Sequence, residues 1–464
     1  MGMRALVLVA AAGLATTACT SRRTVGQPTL SVVEQTLTLA PHDKVDILFM
    51  IDDSNSMAPK QARLQASFPT LVQRIQDLAS AGAPASFHIG VVDSDMGAAN
   101  DVQACAKVGG DGGKLRTAAA TMPLNSTSPP ADCAGFQLPD DTPYIDYDSS
   151  TGVSNTGTLG VADAFSCLAS VGDVGCGFEA QLESVYRALT TPSINPGFLR
   201  DDALLVVAWL TDEDDCSAPP DTTLFDNSAA ATAQFGVLQS FRCTQFGITC
   251  DGAPLDGSPL TAQSCAPVIG GPLFDVSRYT DLFGAGGIKP DPNDVLLVSI
   301  AAPPMPFAVD VTSPCDFQPS VPSCPVLEHS CVSASNPQIF GDPAVRLSAV
   351  MSSTVNSVSA SICDDDDNGL LGSVADAMGA RMRAGCLPGA VVDLNETGCN
   401  VTIGGADAPR CDGTERLPCW DLVEDPGCPA RMTPGGGLQM LRFTVEGASL
   451  AAVDAVCPLY EPSA

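Results

Sequence analysis

The sequence predicts an α/β protein with a doubly wound, mostly parallel sheet, long disulfide-rich insertions and a small Cys-rich C-terminal appendage. Three observations support this prediction: short runs that are apolar on both faces, helical periodicity between those runs, and long stretches rich in Gly, Pro, Ser and Cys. Strands that are apolar on both faces are typical of parallel sheets that helices cover on two sides. The alternation of such strands with helices indicates the doubly wound arrangement.

Four apolar runs predict the central strands of this sheet, at residues 45–51, 87–92, 204–210 and 295–301. Helices between and after them are expected where apolar residues are spaced three and four apart, near residues 182–189, 343–351 and 368–382. The most regular stripe lies on Leu64, Phe68, Leu71, Ile75 and Leu78. Because Pro69 falls inside that stripe, this helix is expected to kink or to divide into two.

Composition divides the whole chain into four segments. Residues 1–19 are interpreted as a signal peptide, residues 20–40 as a polar tether, residues 41–385 as the α/β domain and residues 386–464 as a Cys-rich C-terminal region. The long stretches 93–160, 217–293 and 303–337 are predicted to be insertions ordered by disulfides, because loops of that length are uncommon in a compact domain.

The N-terminus predicts export. Arg4 precedes an apolar run at residues 5–15, and small residues follow it. Thr16-Thr17-Ala18-Cys19 resembles a bacterial lipobox. That resemblance implies that Cys19 is acylated and anchors an exported protein to a bacterial membrane, expected to be the outer membrane, facing the periplasm or the surface. An ordinary cleaved signal peptide is the alternative. No later run reaches the ~20 apolar residues of a membrane span.

Cysteine usage supports an oxidising compartment. The chain has 19 cysteines, and if Cys19 carries lipid, 18 remain for nine bridges. Zinc binding is the competing interpretation, but no C-x₂-C pair occurs. Short separations make Cys167/Cys176 and Cys243/Cys250 plausible local pairs.

The charge balance restricts the partners. There are 53 acidic against 22 basic residues, and the formal net charge is −31. Such a surface repels phosphate backbones, which argues against nucleic acid and favours divalent cations or basic partners. No glycine motif for a nucleotide and no G-x-S-x-G follows a predicted strand, so neither a small-molecule cofactor nor covalent catalysis is expected.

A cluster of oxygen donors follows the first predicted strand. Asp52, Ser54 and Ser56 form a D-x-S-x-S pattern, with Met57 directly after it. In a doubly wound sheet, loops at the carboxyl ends of the strands form the ligand crevice. A carboxylate and two hydroxyls are hard donors suited to Mg²⁺ or Mn²⁺.

This pattern resembles the metal-ion-dependent adhesion site of von Willebrand factor type A domains. Residues 87–92 resemble the second strand of that family, and Leu210-Thr211-Asp212 matches its later Thr-Asp pair. Residues 211–216 also resemble the corresponding segment in a subgroup of secreted bacterial lipoproteins that carry this domain. The resemblance covers roughly residues 42–386. It implies that Ser54 and Ser56 ligate the cation, that Asp52 and Asp212 hold it directly or through water, and that a partner's carboxylate completes the coordination.

The chain departs from the family at the third hydroxyl. The expected Thr before the helix near Glu179 has no clear counterpart, and Asp173 and Glu179 offer carboxylates instead. If either enters the site, the cation is more fully neutralised and attracts an incoming acid less. The alternative for Glu179 is an acid at a helix start.

Two other acidic segments could bind Ca²⁺. Residues 213–215 could extend the site, or form a solvated acidic loop. Residues 364–369 contain D-x-D-x-N-G, the opening of an EF-hand-like loop, but the twelfth position is Ala375 instead of Glu. A helix N-terminus rich in acids explains that run equally well.

Three hypotheses follow. The first is a membrane-anchored, non-enzymatic adhesion module that recognises a protein or cell-surface ligand through the cation. The second is a structural, disulfide-rich lipoprotein with a degenerate site. The third, a metal-dependent hydrolase, is least favoured because no general base or nucleophile accompanies the metal motif.

Overall fold

The structure is a computed structural model that describes residues 30–37, 43–80, 86–98, 105, 109–120, 133–315, 318–354, 356–382, 385–411, 413, 417–425, 428, 431–448 and 453–462. The predicted signal peptide and the lipidation site at Cys19 lie outside these residues. Within the described part of the chain, none of the helices has the length and apolar character needed to cross a bilayer.

The helices and strands are given in chain order. The helices are α1 (Ala58–Ser80), α2 (Val161–Leu168), α3 (Gln181–Thr190), α4 (Ala229–Phe235), α5 (Phe241–Gly247), α6 (Ser277–Phe283), α7 (Val345–Ser352) and α8 (Asp367–Met382). The strands of the N-terminal half are β1 (Leu30–Leu37), β2 (Lys44–Ile51), β3 (Ser86–Asp93), β4 (Ile145–Asp148), β5 (Val153–Ser154), β6 (Leu204–Leu210), β7 (Ile248–Cys250), β8 (Ala253–Pro254), β9 (Leu260–Ala262) and β10 (Cys265–Pro267). The later strands are β11 (Val295–Ala301), β12 (Phe307–Thr312), β13 (Cys324–Leu327), β14 (Cys331–Val332), β15 (Phe340–Gly341), β16 (Ser357–Ser361), β17 (Ala390–Val391), β18 (Asn400–Ile403), β19 (Ala406–Asp407), β20 (Cys419–Glu424), β21 (Arg431–Met432), β22 (Leu438–Gln439), β23 (Leu441–Glu446) and β24 (Val453–Pro462).

The central sheet has the strand order β16-β11-β6-β2-β3-β4-β5. The first five strands of that order pair in parallel, and β4 and β5 add an antiparallel edge. The four predicted central strands are therefore confirmed as β2, β3, β6 and β11. The predicted α/β class with a mostly parallel sheet is also confirmed.

Helices pack on both faces of this sheet because successive strand residues point to opposite sides. In β2, Ile47 and Phe49 pack into a core with residues of α1, α2 and α8. Leu48 and Met50 pack into a second core with residues of α3, α6 and α7. Every residue of β6 and β11 is buried, as expected for strands between two apolar layers.

The expected division of the first helix at Pro69 is wrong. A single helix, α1, runs through Pro69, which lies on its exposed side. Leu64, Leu71 and Ile75 of this helix are buried against the sheet. The packing of this apolar stripe outweighs the backbone hydrogen bond that proline cannot donate.

The nine predicted disulfides are present, and both predicted local pairs are wrong. Cys167 bonds Cys133 and Cys176 bonds Cys105, while Cys243 bonds Cys216 and Cys250 bonds Cys265. The other bridges are Cys315–Cys324, Cys331–Cys363, Cys386–Cys428, Cys399–Cys457 and Cys411–Cys419. Sequence proximity fails for these two pairs because the fold brings other cysteines together, with paired Cα atoms 4.1–6.0 Å apart.

The tether prediction does not hold for Leu30–Leu37. This segment forms β1, which pairs antiparallel with β24 along its whole length. Leu37 joins a separate core whose other buried residues come from the C-terminal region, residues 387–459. The local composition of residues 20–40 does not reveal this strand, since the partner that satisfies its backbone lies more than 400 residues away.

Candidate metal centre

The loops that follow β2 and β6 begin side by side. Ile51 and Leu210 are paired at the ends of these adjacent parallel strands. The amide of Asp52 donates to the carbonyl of Leu210 at 2.9 Å, and the amide of Thr211 donates to the carbonyl of Ile300 on β11 at 3.1 Å. The carboxyl ends of three neighbouring strands therefore present the residues that follow them to one crevice.

The four predicted principal ligands lie together in this crevice. The Oγ atoms of Ser54 and Ser56 are 3.0 Å apart, and Ser56 Oγ donates to Asp212 Oδ1 at 3.0 Å. Asp52 Oδ1 accepts from the Ser54 amide at 2.8 Å, and Asp52 Oδ2 accepts from the Thr211 hydroxyl at 2.6 Å. The structure thus brings two carboxylates and three hydroxyls into one hydrogen-bonded group. Their role as metal ligands stays a prediction.

Lys60 is a component of this group that the sequence reasoning missed. Its Nζ donates to the Ser56 carbonyl at 3.0 Å and forms an ion pair with Asp212 Oδ2. The ammonium also lies 4.0 Å from the ring centroid of Phe340, and the side chain is fully buried. The signal was the spacing, because a residue four positions after Ser56 lies on the same face of the helix that begins there.

Burial raises the pKa of both aspartates. The pKa of Asp52 rises because its carboxylate is desolvated, against the lowering effect of the Thr211 and Ser54 hydrogen bonds. Desolvation and the neighbouring Asp52 raise the pKa of Asp212 to about 6, although Lys60 and Ser56 favour its charged form. One ammonium is thus not enough to stabilise both charges.

Glu179 and Glu213 add further negative charge to the crevice. Glu179 is only 2% exposed. Burial, followed by Glu213 and Asp52, raises its pKa well above the ordinary value. Burial, Asp342 and Asp212 raise the pKa of Glu213 in the same way. The backbone amide of Glu179 donates to its own carboxylate, which lowers that pKa only partly. Helix α3 begins at Gln181 with Ala180 as its N-cap, so Glu179 lies just before the helix, and its interpretation as a helix-start acid stays a prediction.

Asp173 lies fully buried in the loop that packs against the metal motif. Gln61 Nε2 donates both to the carbonyl of neighbouring Gly172 and to the carbonyl of Asp52. The amide of Gly175 donates to the Asp53 carbonyl at 2.8 Å, and a Cβ at Gly175 would lie 2.2 Å from the Asp53 carboxyl group. Glycine is therefore required where this loop approaches the motif.

The solvated-loop interpretation of residues 214–215 is wrong. Asp215 is buried, pairs with the buried guanidinium of Arg346 at 3.1 Å, and accepts from the Leu182 amide of α3. Asp214 accepts from the amides of Arg346 and Leu347 in the first turn of α7. Both carboxylates therefore satisfy helix N-termini, where the backbone amides have no partner within the helix.

The EF-hand interpretation of residues 364–369 is also wrong. Helix α8 begins at Asp367, inside the twelve-residue segment that a calcium loop would occupy. Asp365 accepts hydrogen bonds from the Ser333 and Ser335 hydroxyls. This run therefore forms the start of a helix, and its hydrogen bonds also hold the neighbouring insertion in place.

The donor set fits a divalent cation. Hydroxyl and carboxylate oxygens are the ligands that Mg²⁺ and Mn²⁺ prefer. Among the described residues, the carboxylates of Asp52, Glu179, Asp212 and Glu213 share Lys60 as the buried ammonium of the crevice. Carboxylates that outnumber the cationic groups near them are costly to bury, and a cation at Asp52, Ser54, Ser56 and Asp212 would offset this cost.

Comparisons with known proteins give structural likenesses only. No protein-family model and no curated protein matches the sequence. Among solved structures, a von Willebrand factor type A protein from Catenulispora acidiphila aligns over 94% of this chain and 66% of its own, with 10% identity and a TM-score of 0.26. The pilus adhesin SpaC from Lactobacillus rhamnosus GG aligns over 94% of this chain and 41% of its own, with 9% identity and a TM-score of 0.29. The tip pilin GBS104 from Group B Streptococcus agalactiae aligns over 92% and 80%, with 10% identity and a TM-score of 0.28.

This chain spans two thirds or less of the length of the first two of these structures. TM-scores below 0.3 do not establish a common fold. The function proposed below is therefore argued from the site.

The raised pKa values predict that moderate acid stabilises the metal-free protein instead of destabilising it. Burial raises the pKa of Asp212 to about 6 and that of Asp93 to about 7, from an ordinary value of 3.8. The folded chain then binds protons at a higher pH than the unfolded chain, so these groups make the metal-free protein more stable as pH falls from about 7.5 to 5. Each pKa unit corresponds to about 1.4 kcal/mol. A divalent cation needs deprotonated ligands, so its stabilising effect should decrease over the same range.

Denaturant titrations from about pH 5 to pH 8, with chelator and with Mg²⁺, measure both trends. A metal-free free energy of unfolding that declines steadily on acidification over this range would contradict the prediction.

Proposed function

We propose that this chain is an exported, non-enzymatic binding module with a doubly wound, type A-like domain. In this proposal, a divalent cation held by Asp52, Ser54, Ser56 and Asp212 takes part in recognising a protein or cell-surface ligand. The observation that supports it is the hydrogen-bonded group of hydroxyls and carboxylates at the ends of β2 and β6. Glu179 and Asp173 are proposed as further acids near the cation, in place of the missing third hydroxyl.

Each proposed ligand has a distinct role. Ser54 and Ser56 would donate neutral hydroxyl oxygens, and Asp52 and Asp212 would supply the opposing charge. Thr211, which donates to Asp52 Oδ2 at 2.6 Å, orients that carboxylate. When bound, the cation would supply an electrophilic centre for an oxygen of the partner.

Export and anchoring complete the proposal. Nine disulfides among the described residues are expected only in an oxidising compartment. The lipobox resemblance at Cys19 supports an anchor in a bacterial membrane, with residues 20–29 as the connection to β1. We propose that the domain is presented from that membrane toward its ligand.

Lys60 favours a second candidate, a structural lipoprotein whose site no longer depends on metal. Its ammonium already contacts Asp212 Oδ2 and the Ser56 carbonyl. Each carboxylate oxygen of Asp52 and Asp212 has a protein partner in this arrangement. If that network is sufficient, the domain keeps its fold without a cation.

A thermal shift separates the two candidates. The metal-stripped, disulfide-intact chain should melt at a higher temperature when Mg²⁺ or Mn²⁺ is added, because the ion binds only the folded state. The gain is about 2.7 kcal/mol at a hundredfold excess of ion over its Kd. Asp52→Ala should remove the shift, since Asp52 lies at the centre of the donor group.

Asp310→Asn is the matched control, because Asp310 is an exposed acid on β12, outside the crevice. It should keep the full metal shift. If the parent chain melts at the same temperature with and without both ions, the structural candidate is supported and cation-dependent binding is contradicted.

A further inference from the structure

We infer that the cavity above the proposed cation accepts the side chain of a lysine or arginine from a partner protein. This cavity has a volume of about 290 Å³, and Ser56 of the proposed metal centre lines it. It lies between the proposed metal centre and the insertions that carry α5 and β13. The inference deepens the proposed function, on which it rests, by assigning the chemical class of the ligand.

The part of the cavity that adjoins the metal centre is acidic. Glu179, Glu213 and Asp342 line it, next to Asp52 and Asp212 of the metal centre. The cationic groups that face this region are Lys60 and His329, which pairs with Asp342 at 2.6 Å. Asp214 and Asp215 also line the wall, but they bind the first turn of α7 and Arg346. When all five carboxylates are ionised, their negative charges exceed by one the four positive charges of a divalent cation, Lys60 and protonated His329.

Glu179 gives independent support for a ligand at this position. Glu179 is 2% exposed and lines the cavity, and the hydrogen bond that reaches its carboxylate comes from its own backbone amide. A buried carboxylate is costly unless a donor or a cation reaches it. The neighbouring Glu213 is partly exposed and lines the same cavity. An incoming ammonium or guanidinium would satisfy both.

The walls of the cavity fit the stem of a basic side chain. Phe241, Val326, Leu327 and Phe340 supply apolar surface to the wall of the cavity. Lysine and arginine combine an aliphatic stem with a charged end. A volume of about 290 Å³ would hold roughly ten waters at about 30 Å³ each, so a second metal ion would leave most of this space and its apolar walls unused.

The charge of the whole chain also favours a basic partner. A formal net charge of −31 attracts basic proteins at long range and repels acidic ones. The expectation that a partner's carboxylate completes the coordination is therefore less favourable in this chain, because the acid would have to pass Glu213 and Asp342.

The test is calorimetric titration of the full, disulfide-intact chain in Mg²⁺. The probes are the Nα-acetyl methylamides of lysine, arginine, norleucine and glutamate. We expect lysine and arginine probes to bind, and norleucine, which has the stem without the ammonium, to bind at least about tenfold more weakly. Glu213→Gln should weaken lysine binding at least about tenfold, and Glu424→Gln, an exposed acid on β20, should leave it unchanged.

A second variant, Val326→Arg, should block the lysine probe by placing a cation on the cavity wall. The inference is overturned if the glutamate probe binds in preference to lysine, if none of the probes binds, or if a second Mg²⁺ or Ca²⁺ binds per chain and excludes lysine. These results are separable from a failure of the proposed function, which is the loss of the metal-dependent thermal shift itself.

Discussion

Lys60→Met is expected to destabilise the metal-free protein by about 3–5 kcal/mol, the range for breaking a buried ion pair. Lys60 and Asp212 are both almost completely inaccessible to solvent. Methionine keeps an unbranched apolar stem of similar length but leaves Asp212 without its ammonium partner. The cation–π contact with Phe340 is lost at the same time.

The same variant should gain more stability from Mg²⁺ than the parent chain does. Removal of a positive charge beside Asp212 leaves the proposed cation without a competitor for that carboxylate. Chemical denaturation of both chains, in chelator and in Mg²⁺, measures the two effects together. A variant whose gain from Mg²⁺ is smaller than that of the parent would show that Lys60 supports cation binding instead of opposing it.

Lys44→Met is the matched control for this substitution. Lys44 also forms an ion pair, with Asp202, but its side chain is 38% exposed and that of Asp202 is 65% exposed. Exposed pairs contribute about 0–1 kcal/mol. A loss of stability in Lys44→Met as large as that in Lys60→Met would mean that burial does not determine the effect.

Reduction of the disulfides is expected to lower the melting temperature severely. The nine bridges span sequence separations from 8 to 71 residues, and a single bridge contributes roughly 2–4 kcal/mol by restricting the unfolded chain. Several insertions, such as that between α4 and β10, contain short strands and helices held together by such bridges. Melting curves with and without a reducing agent measure the effect, and coincident curves would contradict it.

The loss of stability should differ between a disulfide that closes a long loop and one that closes a short loop. Cys399–Cys457 closes a separation of 58 residues and joins the residue before β18 to β24 at the core of the C-terminal region. Cys411–Cys419 closes a separation of 8 residues. Replacing the first pair with alanines should destabilise the chain more than replacing the second, since the longer loop loses more entropy when it is closed. The reverse order would show that loop length does not govern these bridges.

The central sheet could be predicted from sequence because its strands are buried on both faces. The runs that became β2, β3, β6 and β11 are apolar on both faces apart from single polar residues such as Asp46, His88 and Ser299, so local composition identifies them. The close approach of Asp52 and Asp212 could also be predicted, because each residue follows one of these buried parallel strands. Two parallel strands that end at one edge of a sheet bring the residues after them together.

The electrostatic partners could not be predicted in this way. Asp214 and Asp215 looked like a solvated loop, yet they bind the first turn of α7 and the buried Arg346, about 130 residues later in the chain. The sequence analysis did not single out Lys60. Its burial depends on Phe340, which an insertion between β11 and α7 brings over it. Only the folded chain reveals such contacts.

The sequence by itself determined the class of the sheet, the number of disulfides and the place of the candidate ligands, since each follows from the identity of neighbouring residues. The tertiary structure alone decided which cysteines pair, that Leu30–Leu37 becomes a strand, and that an ammonium lies beside Asp212. These features depend on contacts between distant segments. Their free energy comes from burial and charge pairing, which a local pattern of residues does not encode.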